Sequence, residues 1–141
     1  MDALKITVVS GFLGAGKTTL IKHFLQQHAF GENPILVEND YGRLGIDSQE
    51  LSDFGVEIKD LTAGCICCTL KGDFLRSLSK VLETQRFSHV IIEPSGIGKL
   101  SDILEQLREP SFVQRFEIGT ITAITIADAR KFKENHRYVT E

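Results

Sequence analysis

The segment Gly11-Phe12-Leu13-Gly14-Ala15-Gly16-Lys17-Thr18 constrains this chain more than any other. It fits the pattern G-x-x-x-x-G-K-S/T, and its surroundings suit the mechanics of that pattern. Before it, Lys5-Ile6-Thr7-Val8-Val9 is short and β-branched, which predicts a buried strand. After it, Leu20, Ile21, Phe24 and Leu25 share one helical face, and the helical pattern fades near His28. Glycines let the backbone between strand and helix curl until several N–H groups face one anion. The helix N-terminus adds the positive end of its dipole.

In such a loop Gly11, Gly14, Ala15 and Gly16 offer backbone to phosphate oxygens, and Lys17 neutralises charge on the outer phosphates. The Thr18 hydroxyl suits Mg²⁺, an oxygen-seeking cation. Thr19 joins the nucleotide-contacting positions but reads as a helix-start residue rather than a second metal ligand. The plainer reading, a glycine-rich turn with a surface lysine, is the weaker one when the full pattern stands between a strand and a helix.

The rest of the chain alternates in the same way. Ile35-Leu36-Val37 and Val90-Ile91-Ile92 predict buried strands, Val56 to Ile58 a half-exposed one, and Ile118 to Ala127 a strand rich in Thr and Ile. Leu70, Phe74, Leu75, Leu78, Val81 and Leu82 mark one helix. Leu100, Ile103, Leu104 and Leu107 mark another, stopped before Pro110. Tyr41 to Asp53 reads as a long surface loop, and the charged tail from Asp128 as the start of a further helix. Strands alternating with helices, several of them apolar on both faces, predict an α/β fold: a three-layer arrangement with a mainly parallel sheet.

At 141 residues the chain is expected to form one domain, with no room for a second full one. Its net charge of −3 gives no basic footprint for nucleic acid. No apolar run approaches the roughly 20 residues of a membrane span. The start lacks the pattern of a signal peptide, so a cytoplasmic location is the default expectation.

Glu93 ends one predicted strand and is followed by Pro94-Ser95-Gly96. A carboxylate at the carboxyl edge of a parallel sheet is well placed to hold Mg²⁺ or a water on it. The Gly96 N–H can face a terminal phosphate. The bland alternative is a solvated acid at a strand end.

The three cysteines lie together at Cys65, Cys67 and Cys68. A secreted disulfide framework spreads its cysteines along the chain, so this cluster suggests reduced thiols. Thiolates are soft ligands for Zn²⁺ and related ions, and a C-x-C-C turn can aim two or three sulfurs at one point. A fourth ligand must come from elsewhere, which suits an open, carrier-like site. Redox chemistry and simple packing are the competing readings. His23, His28, His89 and His136 are each read as surface or packing residues.

Four segments in this order resemble one family: Gly11 to Thr19, then Glu38-Asn39-Asp40-Tyr41-Gly42, then Gly64-Cys65-Ile66-Cys67-Cys68, then Glu93-Pro94-Ser95-Gly96. They are similar to the CobW-type P-loop GTPases, the cobalamin-synthesis or nickel/zinc metallochaperone group, over Ile6 to about Asp128. The resemblance implies GTP and GDP as ligands with Mg²⁺, slow hydrolysis, and handling of Zn²⁺, Ni²⁺ or Co²⁺ for a client metalloprotein. It places Lys17 and Glu93 in the catalytic positions, leaves Asp40 or Glu38 to position the attacking water, and puts Thr18 and Glu93 on Mg²⁺. It makes Cys65, Cys67 and Cys68 the transition-metal motif and Glu38 to Gly42 the first switch segment.

The chain departs from the family in places. Asp40 stands where the family often has glutamate, and Arg43 where it often has a further acid. No Asn-Lys-x-Asp segment is present to read guanine, and Asp128 resembles the end of the strand before that motif. The expectation is therefore a domain truncated on its C-terminal side, whose bare sheet edge favours homo-oligomers. A small-molecule kinase or ATPase on the same scaffold, and a non-catalytic metal-binding fragment, are the alternatives.

Overall fold

A computed structural model describes residues 2–11, 16–38, 54–60, 73–94 and 100–130. Among the described residues five strands and four helices follow in the order β1 (Leu4–Gly11), α1 (Lys17–Gln26), β2 (Pro34–Glu38), β3 (Glu57–Asp60), α2 (Asp73–Leu82), β4 (His89–Glu93), α3 (Leu100–Leu107), α4 (Pro110–Arg115) and β5 (Ile118–Ile126). The strands form one sheet in the order β3-β2-β4-β1-β5. Every neighbouring pair is parallel. Parallel neighbours need crossover connections, and described helices lie on those from β1 to β2, from β3 to β4 and from β4 to β5.

Successive strand residues point to opposite faces, so the central strands must be apolar on both sides. Ile6, Val8, Ile35, Val37, Val90 and Ile92 face one way and meet Phe74 and Leu78 of α2, Ile103 and Leu107 of α3, and Phe112 of α4. Val9, Leu36 and Ile91 face the other way and meet Ile21 and Leu25 of α1, with Phe30 and Val56. Two apolar clusters on the two faces of one sheet make the expected three layers. Burial of a side chain such as Leu78, wholly shielded from water, contributes about 1.5–3 kcal/mol.

The expected elements are present with small changes of boundary, and one was missed. Pro110 not only stops α3 but opens α4, where its absent N–H and fixed φ suit a first helical position. The expected loop 41–53 and the expected tail helix lie outside the described residues, apart from Asp128 to Arg130.

The topology also decides where a ligand can sit. From β1 the chain crosses α1's face of the sheet to reach β2. From β3 to β4, and from β4 to β5, it moves in the reverse direction across the other face. A right-handed crossover in each case forces that change of face. The reversal opens a crevice at the carboxyl ends of the central strands, where such folds bind ligands.

Candidate functional site

The crevice holds the two ends of the glycine-rich segment. Gly11 closes β1 with φ near +147°, and a Cβ there would lie 2.5 Å from the Ile126 carbonyl oxygen. No side chain fits between β1 and β5 at that point. Gly16 adopts a left-handed conformation, φ 104° and ψ 22°, immediately before α1. A side chain there would meet no atom within 4 Å, so the backbone angle alone selects glycine. Helix α1 starts with no side-chain cap and no acidic residue in its first turn. An anion is the natural partner for amides left in that state.

Lys17 is the first residue of α1, yet it is buried rather than solvated. Its Nζ lies 3.3 Å from Oε1 of Glu93, the last residue of β4. Their side chains are only 10% and 15% exposed, so this pair is sheltered, unlike the solvent-facing pair of Arg86 and Glu117. Glu93 is therefore not the solvated strand end of the bland reading. Thr18 is half-buried beside Lys17, and Thr19 is exposed. Glu38 ends β2 in register with Glu93, which puts two carboxylate-bearing residues side by side on the carboxyl edge.

β5 joins the site through Ser10 and Thr125, whose hydroxyls are 2.9 Å apart. Sequence reasoning missed this contact, because nothing in either residue's neighbourhood signals the pairing of strands 115 positions apart. Just beyond, Asp128 Oδ1 accepts the Arg130 N–H in a tight turn. Gly14, Ala15, Asp40, Cys65, Cys67, Cys68 and Gly96 lie outside the described residues.

Of the histidines, His89 carries structure. Its ring is buried, its Nε2 lies 2.7 Å from Thr7 Oγ1, and it meets Phe30 edge-on at 4.8 Å. Burial, then the nearby Lys5 charge, lowers its pKa from 6.5 to about 4. His89 borders a cavity of about 550 Å³ at the amino ends of the strands, the edge away from Gly11 and Glu93. The glycines, the sheltered lysine and the helix N-terminus are at the other edge, so the site is assigned there despite that cavity.

A parallel sheet whose first strand runs through a G-x-x-x-x-G-K-T segment into a helix defines an α/β P-loop protein. Residues 5–141 match the family model described as CobW/HypB/UreG, nucleotide-binding domain, and the chain belongs to that family. It is 38% identical to "Zinc chaperone CobW" of a Sinorhizobium species over 92% of this chain and 39% of that protein. It is 35% identical to "Zinc chaperone YjiA" of Escherichia coli K12 over 90% of this chain and 42% of that protein. With "Zinc-regulated GTPase metalloprotein activator 1" of Dictyostelium discoideum it shares 33% identity over 74% of this chain and 24% of that protein. The chain thus spans about two fifths of the length of the first two. Among the described residues no helix is long and apolar enough to cross a membrane.

Proposed function

We propose that this single domain, residues 1–141, holds the triphosphate of GTP and takes part in GTP hydrolysis coupled to the handling of a transition metal. The observation that carries the reading is the sheltered Lys17–Glu93 pair at the carboxyl edge, between Gly11 and the uncapped start of α1. Lys17 and the amides of Gly14, Ala15 and Gly16 bind phosphate oxygens. Lys17 also neutralises the charge that grows on the transferring phosphoryl group. Thr18 and Thr19 stand at the helix start beside them. Gly96 offers its N–H to the terminal phosphate, and Asp40, with Glu38 as alternative, orients water.

Thr18 and Glu93 supply a hydroxyl and a carboxylate oxygen, the donor chemistry that suits Mg²⁺. They would hold that ion, which when bound balances phosphate charge. Cys65, Cys67 and Cys68 form the transition-metal motif. The names of the zinc-chaperone relatives favour Zn²⁺ over Ni²⁺ or Co²⁺. A client metalloprotein then receives the metal, and the nucleotide state reaches the cysteines through the segment from Glu38 to Arg43.

Calorimetry tests this with GTP, ATP and Zn²⁺ titrated separately. We expect GTP to bind, with Lys17→Ala weakening it about 100-fold or more, equivalent to about 3 kcal/mol. Replacing the three cysteines by serine should remove Zn²⁺ binding and spare the nucleotide. Unchanged GTP affinity in Lys17→Ala would refute the phosphate site. Tight Zn²⁺ binding without the thiols would refute the metal motif. Preference for ATP would move the domain to the ATPase or kinase alternative.

A further inference from the structure

The cavity of about 550 Å³ at the amino ends of the strands has a size usual for small-molecule pockets. It lies at the far end of β1 and β4 from Gly11 and Glu93, so it is separate from the phosphate site. Its polar centre is one cross-strand pair, Lys5 of β1 beside His89 of β4. His89 is only 8% exposed, and its Nε2 is engaged by the Thr7 hydroxyl. Its Nδ1 has no hydrogen-bond partner among the described residues. Leaving a buried ring nitrogen unbonded is costly, so a polar group from outside the chain is expected to meet it.

The charges around the ring select the kind of group. Lys5 is exposed and has no acidic partner among the described residues. The other two cations of the lining are already neutralised: Arg86 donates to Glu117 at 2.9 Å, and Arg115 pairs with Glu83. Asp2, Glu32 and Glu117 also line the cavity and repel a polyanion. The imidazole responds to Lys5 and to no carboxylate, since the Lys5 charge stands after burial among the causes that lower its pKa to about 4. The ring and its neighbour thus offer one positive charge and one nitrogen that can carry a hydrogen. Leu82, Phe87 and Phe116, which pack on the other face of the sheet, supply apolar wall.

We propose that this cavity is a binding site for a small organic monocarboxylate with an apolar body. The carboxylate sits between the Lys5 ammonium and His89 Nδ1, and the apolar body lies along Leu82, Phe87 and Phe116. In the bound form Nδ1 carries the hydrogen, so the Thr7 hydroxyl donates to Nε2. Both bonds to the carboxylate are charge-assisted. Inorganic phosphate has no apolar body and carries more charge than one ammonium offsets, so it is excluded.

The test titrates naphthoate into the whole chain near neutral pH, with naphthamide and inorganic phosphate as controls, and follows the His89 ring signals by NMR. We expect naphthoate to bind and to shift those signals. The amide keeps the apolar body and removes the charge, and should bind about tenfold more weakly. Lys5→Gln, a change at an exposed position, should weaken naphthoate by about tenfold as well and leave naphthamide unchanged. Phosphate should leave the ring signals in place.

Naphthoate binding that does not move the His89 signals, or equal affinity for naphthoate and naphthamide, would overturn the assignment. So would an unchanged naphthoate affinity in Lys5→Gln. Phosphate that shifts the ring more than naphthoate does would overturn the monocarboxylate. No naphthoate binding at millimolar concentration would leave the nitrogen to water and overturn the site itself.

Discussion

Gly11 and Ile126 are packed so closely that even a methyl group on the glycine would strike the isoleucine carbonyl, at 2.5 Å. The contact fixes the last residue of β1 against the last residue of β5. The base of the glycine-rich loop is therefore positioned by a strand more than 100 residues away in sequence.

Gly11→Ala should accordingly destabilise the domain by about 2–4 kcal/mol, combining overpacking with an unfavourable φ. Gly16→Ala, at a position with open space around it, should cost about 1 kcal/mol from its backbone angle alone. Urea midpoints of the two variants measure the difference. Equal losses would mean that β5 does not press on the loop base.

His89 gives the fold a pH dependence of known sign. The group is lowered to about 4 in the folded chain by burial and then by Lys5, against 6.5 when unfolded. Between those values the unfolded chain binds more protons, so stability falls as pH drops from 6.5 towards 4 and levels off below. His89→Gln should flatten this part of the stability–pH curve and leave the region above pH 7 with only the cost of repacking. An NMR titration placing the wild-type ring near 6.5 would contradict the assignment.

The outer edge of β5 has no strand partner among the described residues, and its nine residues contain no charge and no proline. Edges of that kind invite pairing with another strand. Any self-association that runs through this edge should weaken in Thr122→Lys, at an exposed position. Sedimentation velocity across a concentration series reads this directly. Identical profiles for the wild type and the lysine variant would place any self-association elsewhere.

Much of this was legible in the amino-acid order. Binary patterning marked the strands and the helices of both faces, since a residue sequence apolar on both sides of a strand has few places to go but the middle of a parallel sheet. The motif from Gly11 to Thr18 named its own chemistry because the glycines and Lys17 are contiguous. Helix α4 escaped notice, because a proline after an apolar helix reads as a stop and only the three-dimensional path shows it starting the next turn.

What the linear order determined by itself was the set of local elements and the phosphate motif, both governed by interactions among residues a few positions apart. Tertiary structure alone decided that Glu93 would be sheltered beside Lys17 rather than solvated, that Gly11 would abut Ile126, and that Ser10 would meet Thr125. Those relationships depend on the strand order β3-β2-β4-β1-β5. That order is settled by the packing of both sheet faces and the handedness of the crossovers, which act on the whole chain at once.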